Sequence, residues 1–120
     1  MPFSESRQGK LLRIFIGDSD RWQGRPLHEA LVEAARAHGL AGATVLHGVM
    51  GYGAHSHLHT AGVLRLSVDL PIIIEIVDLS ERLQSFLPIV DAMVLDGLVT
   101  LEAAEVLIYR KREAQKPGDV

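Results

Sequence analysis

Cysteine is absent from the 120-residue chain, which excludes disulfide scaffolds, thiolate zinc sites and cysteine nucleophiles. Basic charge is not in excess either, and the formal net charge is −3. No general attraction to nucleic acid or to an anionic membrane surface follows. Only YRKREAQK, near the C-terminus, is locally basic. The opening MPFSESRQGK lacks the apolar core of a signal peptide. The longest apolar run, LPIIIEIV, is far too short to span a bilayer. A cytoplasmic protein is therefore expected, with neither nucleic acid nor direct membrane insertion among its interactions. Catalytic signatures are missing as well. No nucleophile stands beside a base at a recognisable spacing, so an enzyme is not expected. Asp18 and Asp20 could act as a general acid and base, but turn chemistry explains them equally well.

What is present is a folded-domain composition, 48% hydrophobic and 22% charged, of a length that forms one core. KLLRIFIGD, residues 10–18, reads as a strand. Pro26 suits the first turn of a helix, and Leu27, Leu31, Ala34 and Ala35 continue at helical spacing up to His38, with Gly39 as a left-handed cap. GATVLHGVMGYG, residues 42–53, is a second strand, and AGVLRLSV and PIIIEIV supply one or two more. Asp78 and Glu81 resemble a capping box ahead of a helix carrying Leu83, Phe86, Leu87 and Val90, bent at Pro88. DGLVT breaks that pattern, and AAEVLIYR, residues 103–110, closes as the last strand. The expected fold is α+β: a ferredoxin-like βαββαβ sandwich, an antiparallel sheet with both helices on one face. Residues 10–110 form this domain, between a flexible N-terminus (1–9) and a flexible tail (111–120).

A sheet with one wet face should alternate apolar and polar residues. PIIIEIV does not: only Glu75 interrupts Ile73 and Val77 on the second face, and only Arg13 separates Leu11 from Phe15 in the first strand. At roughly 25 cal/mol per Å² of apolar area, leaving that face in water would forfeit several kcal/mol. Other subunits are expected to cover it.

The run GLAGATVLHGVMGYG, LSVDLPIIIEIVD and DGLVTLEAAEVLIY resembles the PII-like proteins of the family called domain of unknown function 190 (DUF190). It is more distantly similar to the PII nitrogen-regulatory proteins, over roughly Lys10 to Arg110. The resemblance implies a homotrimer with sheets facing inward that binds an adenine nucleotide (ATP, ADP or AMP) in clefts between subunits. It also implies reporting to a target protein, such as a transporter, channel or metabolic enzyme, through the loop at 51–61. Carried over by position, Thr44, Gly51, Tyr52 and Gly53 form one wall of the nucleotide cleft. Asp96 and Gly97 correspond to the loop before the last strand, and Arg110 and Arg112 to basic residues that meet phosphates. Two departures stand out. LDGLVTLEAA contains no lysine or arginine, and Tyr52 lies at the base of the loop, so the uridylylation of PII proteins is not implied.

Each candidate has a plainer reading beside the functional one. Gly51 and Gly53 either let the backbone approach a phosphate or merely permit a sharp exit from a strand. They are not part of a Walker loop, because no Gly-Lys-Ser/Thr follows. His55, His57 and His59 share one face of an extended segment and could hold a divalent metal. They could equally be ordinary loop histidines, or titrate near neutral pH as part of a recognition arm. A metal-binding trimer using this loop is thus the alternative function. Arg13 and Glu75 either pair across neighbouring strands or mark an effector site in the trimer interior. Trp22 either covers the helix start or stacks on a base. His47 is expected to be packed within its strand.

Overall fold

The computed structural model describes residues 7–53 and 69–110. Strand β1 spans Arg7–Gly17, and a two-rung hairpin follows, β2 (Arg21–Trp22) and β3 (Arg25–Pro26). Helix α1 is Leu27–Ala37, β4 is Thr44–His47, β5 is Pro71–Leu79, α2 is Ser80–Met93 and β6 is Leu98–Val106. The four longer strands form one antiparallel sheet in the order β4-β5-β1-β6. This is the expected ferredoxin-like arrangement, with a hairpin added between β1 and α1.

Alternation along the two central strands builds the core. Leu12, Ile14 and Ile16 of β1 and Ile72, Ile74 and Ile76 of β5 point to one face. There they form a single buried cluster with Leu27, Leu31 and Ala35 of α1 and Leu83, Phe86 and Val90 of α2. Each fully buried side chain of this size contributes about 1.5–3 kcal/mol. Both helices therefore occupy the same side of the sheet. Gly39 follows α1 at φ +87°, the left-handed turn that glycine adopts without a Cβ clash.

Several local expectations need correction. β1 begins at Arg7, ahead of Lys10. The strand expected over 42–53 is regular only at Thr44–His47, because Gly48 turns the chain away while its N–H still donates to the Pro71 carbonyl at 2.8 Å. The last strand starts at Leu98, not at residue 103, and ends at Val106. Asp78 is not a helix cap. The alternation of β5 carries it, 8% exposed, into the position after Ile76 on the buried face, and α2 starts without a side-chain cap. α2 runs through Pro88 as expected, with the proline inside the helix. The segment AGVLRLSV, the N-terminal stretch 1–6 and the tail 111–120 lie outside the described residues.

The opposite sheet face carries the rows that the sequence left unaccounted for. Directly opposed residues share a face, so Leu46, Ile73, Phe15 and Leu98 form one apolar row across all four strands. The next row on this face is Thr44, Glu75, Arg13 and Thr100, followed by Val77, Leu11 and Glu102. Leu46, Val77 and Leu98 are 43%, 43% and 57% exposed. At its centre Arg13 binds Glu75 at 2.9 Å and Glu102 at 2.6 Å. The Arg13–Glu75 pair was legible from the sequence, whereas Glu102 was not. The hydrogen bond to Glu75, together with both carboxylate charges, raises the Arg13 pKa further.

Candidate functional site

Apart from Thr44, Arg13 and Glu75, which lie midway along the sheet, the described residues singled out in the sequence fall towards its two opposite ends. One end, where β1 finishes and β5 begins, is built from three loops. Gly51 lies against Pro71, whose Cγ would be 3.1 Å from an added Cβ. Tyr52 is 74% exposed, and Gly53 is exposed beside it. Gly97 sits at φ +152°, and a Cβ there would stand 2.6 Å from the Phe15 carbonyl oxygen. Packing within one copy therefore already accounts for glycine at position 97 and makes a larger residue at 51 a tight fit against Pro71. Asp96 adjoins Gly97 and is exposed. Thr44 is the first residue of edge strand β4 and lies opposite Glu75, midway along β5 and away from these loops.

The third loop at this end is Gly17 to Asp20, and its carboxylates serve the turn. The Gly17 N–H donates to Asp20 Oδ2 at 3.0 Å, and the Ser19 N–H donates to Asp69 Oδ1 at 2.9 Å. Burial pushes the Asp69 carboxyl up, but hydrogen bonds from Ser19 and Asp18 outweigh this and leave its pKa below the ordinary 3.8. These bonds favour turn chemistry for Asp18 and Asp20 over acid–base catalysis. His47 is a correction: it is exposed on edge strand β4, with Nε2 3.4 Å from Asp18 Oδ2. Trp22 is half-buried and packs against the core, so its structural role is observed. The loops 17–20, 48–53 and 94–97 contain no lysine or arginine.

The other end, where β1 begins and β5 and β6 finish, holds a groove of about 1030 Å³. Arg110 lines it, together with Arg7 and Arg82, which the sequence reading did not single out. Asp78 forms part of its floor. Its Oδ2 accepts the Ala41 N–H at 2.9 Å, and its Oδ1 accepts the Leu79 N–H at 2.7 Å. Arg82 Nε donates to Oδ1 at 3.0 Å, and the same guanidinium donates through Nη2 to the Gly39 carbonyl. One buried carboxylate thus fixes both the chain after α1 and the orientation of Arg82.

In a single copy the two ends do not meet. β6 runs the length between them with nine residues, which at about 3.4 Å per residue puts its ends, Leu98 and Val106, roughly 27 Å apart. Arg112 and the three histidines, His55, His57 and His59, lie outside the described residues. Among the described residues no group of three His, Asp or Glu side chains could hold a metal ion, and no helix is long and apolar enough to cross a membrane.

Residues 9–106 match the family DUF190, described as uncharacterized ACR. A UPF0166 protein of Aquifex aeolicus (strain VF5) is 37% identical over 98 residues, covering 82% of this chain and 92% of its own. Among solved structures, a PII-like signalling protein of Thermus thermophilus overlays with a TM-score of 0.61 at 18% identity, over 85% of this chain and 92% of that one. CPII of Thiomonas intermedia K12, solved with ADP and bicarbonate bound, overlays with a TM-score of 0.56 at 19% identity, over 87% and 93%. At such identities these structures speak for the fold, which is PII-like.

Proposed function

The chain belongs to the DUF190 family, and from that premise we propose that it is a cytoplasmic, homotrimeric PII-like regulator without catalytic activity. Its effector is a small anion, an adenine nucleotide (ATP, ADP or AMP), held in clefts between copies. Occupancy is reported to a target protein, such as a transporter, channel or metabolic enzyme, through the segment 51–61. The binding of ADP by CPII, a protein of the same fold, supports the choice of nucleotide.

The observation that carries this reading is the separation of the two ends combined with the uncovered sheet face. Gly51, Tyr52, Gly53, Asp96 and Gly97 belong to one end, Thr44 lies midway along the sheet opposite Glu75, and Arg110 belongs to the other end. One copy cannot close both ends on one nucleotide. Association through the row Leu46–Ile73–Phe15–Leu98 would bring a second copy alongside, and its Arg110 would supply the positive charge that the glycine-bearing loops lack. The effector then acts by binding one arrangement of the 51–61 segment better than another, since only differential affinity shifts such an equilibrium.

Calorimetry with ATP, ADP and AMP tests the proposal. Saturable binding of at least one of them at micromolar to sub-millimolar concentration is expected. No heat from any of the three at millimolar ligand rejects the nucleotide.

A further inference from the structure

We infer that Arg7 and Arg82 complete an anion site with Arg110 and receive the phosphoryl groups of the bound nucleotide; the identity of the ligand rests on the reading above. Charge gives the first argument. The groove carries three arginines and one aspartate, +3 and −1, hence a formal +2, on a chain whose net charge is −3. The opposite end holds Asp18, Asp20, Asp69 and Asp96, with no lysine or arginine in loops 17–20, 48–53 and 94–97. Arg21 and Arg25 stand on the adjoining hairpin, and Arg25 pairs with Glu33. A phosphate is drawn to the groove of net positive charge rather than to the aspartate-bearing loops.

Availability gives the second. Arg13 and Arg25 are occupied by carboxylates, whereas Arg7 and Arg110 have no ion-pair partner among the described residues. Arg82 is pre-oriented by Asp78 and the Gly39 carbonyl through Nε and Nη2. Its Nη1 donors stay free for a ligand, and an anchored guanidinium loses little freedom on binding. Asp78 is already saturated by two backbone N–H groups and Arg82, so it opposes an incoming anion little.

Shape gives the third. Beside the arginines the wall is apolar, formed by Val106, Ile108 and Tyr109, with Ile108 46% and Tyr109 73% exposed. A groove with one charged and one apolar wall suits a ligand that is anionic at one end and flat and apolar at the other. A free inorganic ion would use only half of it.

Calorimetry on the full chain with ADP and, separately, with inorganic pyrophosphate reads this out. The unmodified chain binds both, while Arg7→Gln and Arg82→Gln each weaken both roughly tenfold or more, the usual loss for a hydrogen bond to a charged group. Arg7→Lys recovers part of that loss. Arg7 has no ion-pair partner among the described residues, so the thermal unfolding of Arg7→Gln is expected to stay at the unmodified value and its affinity to report the site alone. Undiminished ADP binding by both glutamine variants overturns the assignment and leaves the nucleotide reading standing. Pyrophosphate binding that depends on these arginines, without ADP binding, upholds the anion site and removes the nucleotide reading. Failure of the unmodified chain to bind either ligand removes both.

Discussion

Asp78→Ala isolates what one buried carboxylate does for this fold. The side chain is 8% exposed and accepts from Ala41 N–H, Leu79 N–H and Arg82 Nε, all within 3.0 Å. Hydrogen bonds to charged groups are worth about 1.5–3 kcal/mol each, though not additively. Ala41 and Arg82 are exposed and can turn to water after the substitution, whereas Leu79 is half-buried. A loss of about 3 kcal/mol follows, out of the roughly 5–15 kcal/mol that a domain of this size possesses. Asn is no rescue. Every group facing the two oxygens is a donor: Ala41 at Oδ2, and Leu79 with Arg82 at Oδ1. An amide NH₂ in either orientation therefore meets an N–H. Asp78→Asn should lose at least two-thirds of what alanine loses. Urea unfolding at fixed protein concentration measures both. With a slope of about 1–3 kcal/mol/M, the midpoint falls by roughly 1–3 M. An asparagine variant within about 0.5 kcal/mol of the unmodified chain would refute the donor-only geometry, because surface substitutions already span that range.

Two further outcomes follow from the structure. Leu98→Glu places a carboxylate in the apolar row with Leu46, Ile73 and Phe15 and, with Leu98 57% exposed in one copy, should leave the fold intact while abolishing association. Circular dichroism with light scattering checks this, and an unchanged oligomer mass would mean that another surface joins the copies. The Asp69 pKa is lowered on folding, so its contribution to stability is present above the ordinary 3.8 and is lost as pH falls through the folded value. Asp69→Asn should reduce stability at neutral pH and flatten the acid limb below pH 3.8. An acid limb as steep as that of the unmodified chain would assign acid unfolding to other carboxylates.

How much was legible beforehand depended on how local the signal was. LLRIFIG and PIIIEIV betray themselves by branched side chains, and the α1 stripe by its spacing, so element order and the one-sided helices could be read directly. Asp78 misled because an acidic residue three before Glu81 mimics a capping box. The period-2 run Ile72, Ile74, Ile76 that continues into it was the better signal. The hairpin at Arg21–Pro26 turns on Gln23 at φ +50° and Gly24 at φ +81°; the Gln-Gly pair between Trp22 and Arg25 was its only trace. β6 starts at Leu98 because strand pairing with Phe15, not local composition, fixes its beginning. Arg7 and Arg82 were invisible for the same reason. They are 75 positions apart, and only the pairing of Gly9 with Leu79 and of Arg7 with Val106 brings them to one end. The carried-over positions, by contrast, came from resemblance, and local packing gives Gly97 a second reason to be glycine.

The shared cleft is tested most directly by mixing two variants that each spoil a different end. Tyr52→Glu puts a carboxylate among the glycine-bearing loops, and Arg110→Glu reverses a charge at the arginine end. Neither should bind ADP alone in calorimetry. Refolded together in equal amounts, randomly mixed trimers rebuild about one cleft in four from an intact end of each copy, as a head-to-tail interface requires. Recovery of binding to about a quarter of the unmodified stoichiometry is the predicted result. A mixture that binds no more than its components, or an Arg110→Glu chain that binds ADP normally by itself, would contradict a site shared between copies.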